Sequence, residues 1–185
     1  MRRTLPVLTM IVGLGLSAAS LFASTFLSAE FREVVSEAST IVRGRVTDVR
    51  AIRSADGDVE SVVTIAVDAT LKGSPDTFVA MRLPGGTIGR YRTVMAGAPV
   101  MRLGEQAVFF LKRGPGNALW PVGLSQGIYR ITSAGGLVGL VQAPVLPGVT
   151  TNSVGPVVRG DARRKTLPVT EFESLVRLVL TRGPQ

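Results

Sequence analysis

The chain has 185 residues, 45% of them apolar, with 21 Lys and Arg against 13 Asp and Glu and neither cysteine nor histidine. This is the make-up of one small globular domain with an appendage or two. Lack of histidine removes Ser-His and Cys-His nucleophile pairs, His-ligated haem and the two-His-one-carboxylate iron site; lack of cysteine removes disulfides, thiolate zinc sites and a lipid-modified N-terminal Cys.

At the N-terminus, Arg2 and Arg3 precede an uncharged stretch, residues 4–29, that carries Leu5, Val7, Leu8, Met10, Ile11, Val12, Leu14, Leu16, Leu21 and Phe22. A basic start, an apolar run and small residues after it are the marks of a secretory signal, here residues 1–23, with removal expected near residues 19–23. The alternative is an uncleaved anchor, since about 20 apolar residues span a bilayer. In both cases the positive flank stays inside and the remainder lies outside the cytoplasm, so the protein is expected to be periplasmic or secreted, or anchored and facing outward. Leaving out residues 1–23 lowers the formal net charge from +8 to +6, and with no run of five like charges the basicity is scattered.

The domain proper is expected over residues 28–141. Ser28 is placed to cap a short helix in which Phe31, Val34, Val35 and Ala38 recur at helical spacing. Residues 40–50 and 59–71 read as two long strands, the second with Val63, Ile65, Val67, Ala69 and Leu71 on one face. The turn Ser54-Ala55-Asp56-Gly57-Asp58 joins them into an antiparallel hairpin. Lys72-Gly73-Ser74-Pro75 breaks the second strand, residues 77–83 form a third, and Pro84-Gly85-Gly86 ends it. Residues 87–104 hold Gly89, Gly97, Pro99 and Gly104 with no sustained period and read as a long loop, a kind that carries function or moves. Residues 106–112, with Val108, Phe109, Phe110 and Leu111, form a buried strand. Gly114-Pro115-Gly116-Asn117 turns the chain into Leu119-Trp120-Pro121-Val122, and residues 127–132 and 137–141 supply further short strands.

Residues 142–169 are rich in Pro and Gly and read as an extended wrap or tether. Residues 170–182 form an amphipathic helix with Thr170 and Glu173 as a capping box, Phe172, Leu175, Val176, Val179 and Leu180 as its apolar face, and Gly183-Pro184 as its stop. The fold class is therefore mainly β: a small OB-like antiparallel barrel of five or six strands with an N-terminal and a C-terminal flanking helix, closure of the sheet removing exposed edges.

Four segments carry a resemblance: the run Ser36-Glu37-Ala38-Ser39-Thr40-Ile41-Val42-Arg43-Gly44-Arg45-Val46; Val67-Asp68-Ala69-Thr70-Leu71-Lys72-Gly73; Leu83-Pro84-Gly85-Gly86; and Leu103-Gly104-Glu105-Gln106-Ala107-Val108-Phe109-Phe110-Leu111. Together they resemble small exported bacterial proteins of uncharacterised function. Their order over residues 28–132 is similar to the netrin-like barrel, the OB-type module shared with tissue inhibitors of metalloproteinases. The resemblance implies a fold and no activity, because these glycines and valines serve turns and core. Those inhibitors chelate the target's zinc through an N-terminal cysteine, which this chain lacks, so no inhibitory residue carries over.

Gly123-Leu124-Ser125-Gln126-Gly127 matches the G-x-S-x-G pattern of serine hydrolases, but it lies between two strands in a chain without a histidine base, and it reads as a turn and bulge. Lys72, Lys112 and Lys165 each sit among turn or charged residues, and no apolar pocket is evident to make one of them a base. Asp56, Asp58 and Glu60 alternate along a turn without the twelve-residue calcium loop, and read as a solvated hairpin tip. Aromatic residues are too few for a nucleic-acid platform. The remaining candidate is a partner-binding loop: Arg90-Tyr91-Arg92, with Arg102 further on, in residue types enriched at interface hot spots. The plain alternative is that Tyr91 tucks against the barrel and the arginines are solvated charge. The expectation is a non-catalytic protein with no metal and no cofactor that binds another extracytoplasmic protein through barrel loops, a protease being one class of partner. A structural component of the envelope or matrix is the alternative.

Overall fold

The computed structural model describes residues 29–134, 137–142 and 166–182. The expected signal segment, the Ser28 cap and most of residues 142–169 fall outside the described residues. Helix α1 (Phe31–Glu37) starts at Glu30, whose backbone N–H donates to the Glu33 carboxylate at 3.0 Å, so the start of the helix is satisfied without Ser28.

Strands β1 (Thr40–Arg53) and β2 (Val59–Lys72) are fourteen residues each and pair antiparallel from Ile41↔Lys72 to Arg53↔Val59. Both are longer than a barrel of this size requires, and β1 is longer than the sequence pattern suggests. Its register shifts at Ile41/Val42, Arg43/Gly44 and Val46/Asp48 bend it, so that its first half also pairs on its other edge with β6 (Gln106–Arg113). Strand β3 (Phe78–Pro84) continues from β2, and β7 (Leu119–Pro121) links β3 to β6. The ring β1-β2-β3-β7-β6-β1 is a closed five-stranded barrel. The expected all-antiparallel barrel is corrected at one seam: β3 and β7 are parallel, through Met81↔Leu119. Strands that alternate in direction around a closed ring must be even in number, so a ring of five has one parallel pair.

Strand β8 (Ile128–Ala134) runs along the same edge of β6 as β7, and β9 (Leu137–Val141) and the two-residue β10 (Leu167–Pro168) extend the sheet. Helix α2 (Val169–Arg182) follows. It begins one residue before Thr170, and the expected capping box is replaced by an ion pair: the Glu173 carboxylate accepts from Arg43 Nε at 2.8 Å, while the other arm of Arg43 reaches Asp68 at 3.7 Å.

Alternation along the strands separates two apolar cores. Val42, Val46, Val63, Ile65, Met81, Phe109 and Leu111 fill the barrel. Ile41, Val108, Phe110 and Tyr129 face outward under the two helices and meet Phe31, Val34, Val35, Phe172 and Val176. The rings of Phe31, Phe110, Tyr129 and Phe172 lie 5.0–6.3 Å apart, mostly edge to face. Strand β6 is buried on both faces, which explains its unbroken apolar run. The α2 face read from the sequence docks on the barrel: Phe172 and Val176 are buried, with Leu175, Val179 and Leu180 packed around them.

Candidate docking site

The stretch 87–104, expected to be a long loop without regular structure, begins within a small hairpin of β4 (Gly86–Ile88) and β5 (Tyr91–Thr93), turned by Gly89-Arg90. The hairpin lies across the inner face of β1 and β2. At Gly86, φ is +149°, and a Cβ there would stand 2.8 Å from Ser61 Oγ and 3.2 Å from the Ala51 Cβ, so only glycine permits this approach.

The chain from Val94 to Glu105 is irregular yet held at several points. The Ser125 N–H donates to Gly97 O at 3.3 Å, the Gly104 N–H to Val46 O at 2.8 Å, and the Val46 N–H to Glu105 O at 2.9 Å. The Glu105 carboxylate accepts the Arg102 N–H at 3.0 Å and pairs with Arg130 Nε; the same guanidinium donates to Val100 O at 3.1 Å. Met101 turns inward and is buried in the barrel. The segment is thus fixed by backbone and side-chain bonds from β1, β8 and the turn before β8.

On this fixed segment stand large apolar side chains in water. Val94, Val100 and Leu103 are 72%, 71% and 73% exposed, and Met95 and Tyr91 are half exposed. Val94, Met95 and Val100 border a groove of about 270 Å³ whose other walls include Val49, Val63 and Leu83 of β1–β3, Met101 of the loop, and Arg92 and Thr93 of the hairpin. Its volume lies just below the ~300 Å³ at which small-molecule sites usually begin, and it fits one or two side chains of a partner. Exposed apolar side chains gathered beside a groove, rather than scattered singly, mark interaction sites.

Of the four candidates from the sequence, Arg92 lines the groove. Tyr91 is exposed rather than tucked against the barrel, and the Arg90 guanidinium lies 5.1 Å from its ring centre and donates to its hydroxyl at 3.0 Å. This stacked pair forms the hairpin end. Arg102 is exposed on the fixed loop, outside the residues that line the groove. The sequence reading missed Val94, Met95, Val100 and Leu103. Their signal was present as apolar residues in a segment with neither helical nor strand period to bury them.

The other motifs resolve into structure. Ser125 lies on a short 3-10 turn (Leu124–Gly127) between β7 and β8, buried, with Gly123 and Leu124 both at φ +58°. Glu60 pairs with Arg82 at 3.1 Å, and no group of three or more His, Cys, Asp or Glu among the described residues is placed to hold a metal. Lys72 Nζ donates to Val35 O at 2.9 Å and Ser36 O at 3.1 Å, at the C-terminal end of α1, and burial pulls its pKa below the ordinary 10.5. Tyr129 and Phe110 belong to the core. Among the described residues, no helix is long and apolar enough to cross a membrane. No family model, curated protein or solved structure matches the chain.

Proposed function

We propose that this is a non-catalytic exported protein whose barrel loops bind another extracytoplasmic protein, a protease being one class of partner. Its export rests on the basic start and apolar run of residues 1–23. Its binding role rests on one observation above all, the display of Val94, Met95, Val100 and Leu103 on a segment held in place by Arg130, Val46 and Ser125. A surface that is already ordered loses little conformational entropy on association, so its apolar contacts translate into affinity. Arg90, Tyr91 and Arg92 at the edge supply the residue types that anchor interfaces.

The test places a photo-crosslinking residue at Val100 and, as a control, at Phe78, which is also exposed but lies on β3 outside the groove lining. In the native cell, a discrete adduct formed from Val100 and not from Phe78 is the expected result. The same pattern from both positions, or retention of both variants in insoluble wall material without an adduct, contradicts the reading.

A further inference from the structure

The outer edge of β1 is only half used. From Thr40 to Arg45 it pairs with β6, and the last bonds on that edge run from Val46 to Gly104 and Glu105. There the chain turns away into the fixed loop. Among the described residues no strand pairs with that edge from Thr47 to Arg53, although β2 still holds the other edge through Arg53↔Val59. Hairpin β4–β5 does not fill the gap, because Gly86 packs over Ala51 and Ser61 on the face of the β1–β2 ribbon. The result, among the described residues, is a strand position continuing the line of β6 that no strand fills. The groove opens beside it, with Val49 of β1 in its wall.

We infer that this position receives an extended, acidic segment of the partner protein, added as a strand antiparallel to β1 with an apolar side chain in the groove. The inference rests on the docking role proposed above and specifies how the partner is recognised. Unpaired strand edges accept a new strand through main-chain hydrogen bonds, and adjoining pockets then select its alternate side chains. The sign of the partner's charge follows from the surroundings. Arg50 and Arg53 lie on β1, Arg92 in the groove wall, and Arg90 and Arg102 on the neighbouring hairpin and loop. Among the described residues none of these five arginines has a carboxylate partner, in contrast to Arg43, Arg82 and Arg130 elsewhere on the barrel. Asp48 is the sole carboxylate between Val46 and Arg53. Such a surface steers acidic chains toward it and disfavours basic ones. Arg50 and Arg53 also protect the edge against a second copy of the same basic chain, since like charges would meet.

The probe is the peptide acetyl-Glu-Val-Glu-Phe-Glu-Val-Glu-amide, compared with its lysine counterpart and with an acidic version N-methylated at alternate amides, which cannot complete a strand ladder. Binding to the full chain is read by fluorescence anisotropy and by amide hydrogen exchange. The acidic peptide is expected to bind and to slow exchange of amides within residues 47–53. Its affinity should fall at least about tenfold on N-methylation and on Arg50→Glu/Arg92→Glu substitution. Equal binding of the lysine or N-methylated peptide overturns the inference, as does absence of binding by the acidic one. Protection confined to residues 94–103 overturns strand addition while leaving loop-mediated docking intact. Self-association of the chain through residues 47–53, seen by sedimentation, assigns the edge to a second copy and also overturns it. If Val100 forms no adduct in the cell yet the peptide still protects residues 47–53, the loop reading fails instead.

Discussion

Lys72 shows how much of a side chain's role depends on a neighbour distant in sequence. Read along the chain it is a lysine at the end of a strand. In the fold its ammonium covers the carbonyls of Val35 and Ser36, the unsatisfied acceptors at the C-terminal end of α1, where a cation also opposes the helix dipole. Lys72→Met should lower stability by about 1 kcal/mol in urea unfolding at neutral pH, and no change on substitution would show that the cap is idle. The pH dependence has a definite sign. Burial lowers the pKa in the folded chain below 10.5, so as pH rises the folded protein releases this proton before the unfolded chain does. Between the lowered value and 10.5 wild type should therefore gain stability relative to Lys72→Met, and the gain should be complete above 10.5 and absent below the folded pKa. The neutral amine still has N–H groups to donate, so the helix end stays covered. Arg130 carries a similar lesson: it was one arginine of a strand, and it proves to be the support under Val100 and Glu105.

At the scale of elements, the longest and most periodic segments were readable. The β1–β2 hairpin, the doubly buried β6 and the apolar stripe of α2 all follow from the spacing of Val, Ile, Leu and Phe. The β4–β5 hairpin was missed because strands of three residues carry too little pattern to register. Its two-residue turn beginning with Gly89 was the available sign. The start of α2 was misplaced for another reason: Glu173 does fit a capping box, but Arg43 competes for the same carboxylate, and that ion pair forms only when the helix meets the barrel. The bend in β1 depends on Gly44, where a Cβ would strike the Ala66 carbonyl oxygen and stand 2.6 Å from Ile65 Cγ2. Gly44→Val should therefore destabilise the barrel by about 3 kcal/mol, measured as a lower urea midpoint, because the clash is with backbone that cannot move aside. A midpoint equal to wild type would mean that β1 reaches β6 without the close approach at Gly44.

For the whole molecule, barrel closure was legible because regularly spaced turns and few exposed edges leave little alternative, whereas the parallel β3–β7 seam is a property of the closed ring and of no single residue. The site was legible in part. Arg90, Tyr91 and Arg92 were recognised as a surface group, but the apolar residues beside them gain meaning only when the fold leaves Val94, Val100 and Leu103 in water next to a groove that residues of β1, β2 and β3 complete. Arg102 shares the loop but not the groove lining. Taken together, the scattered basic charge, the fixed apolar loop and the part of the β1 edge that no described strand pairs with are what support the proposed docking role.

The most direct test of that account is the equilibrium affinity of the partner recovered through Val100, measured for wild type, for Arg92→Glu/Val100→Glu and for Phe78→Glu, with unchanged unfolding midpoints as the condition. The account predicts a loss of at least about a hundredfold for the groove variant, the size expected when a hot-spot contact and a favourable charge are removed together, and wild-type affinity for Phe78→Glu. Equal affinity for all three proteins would contradict it.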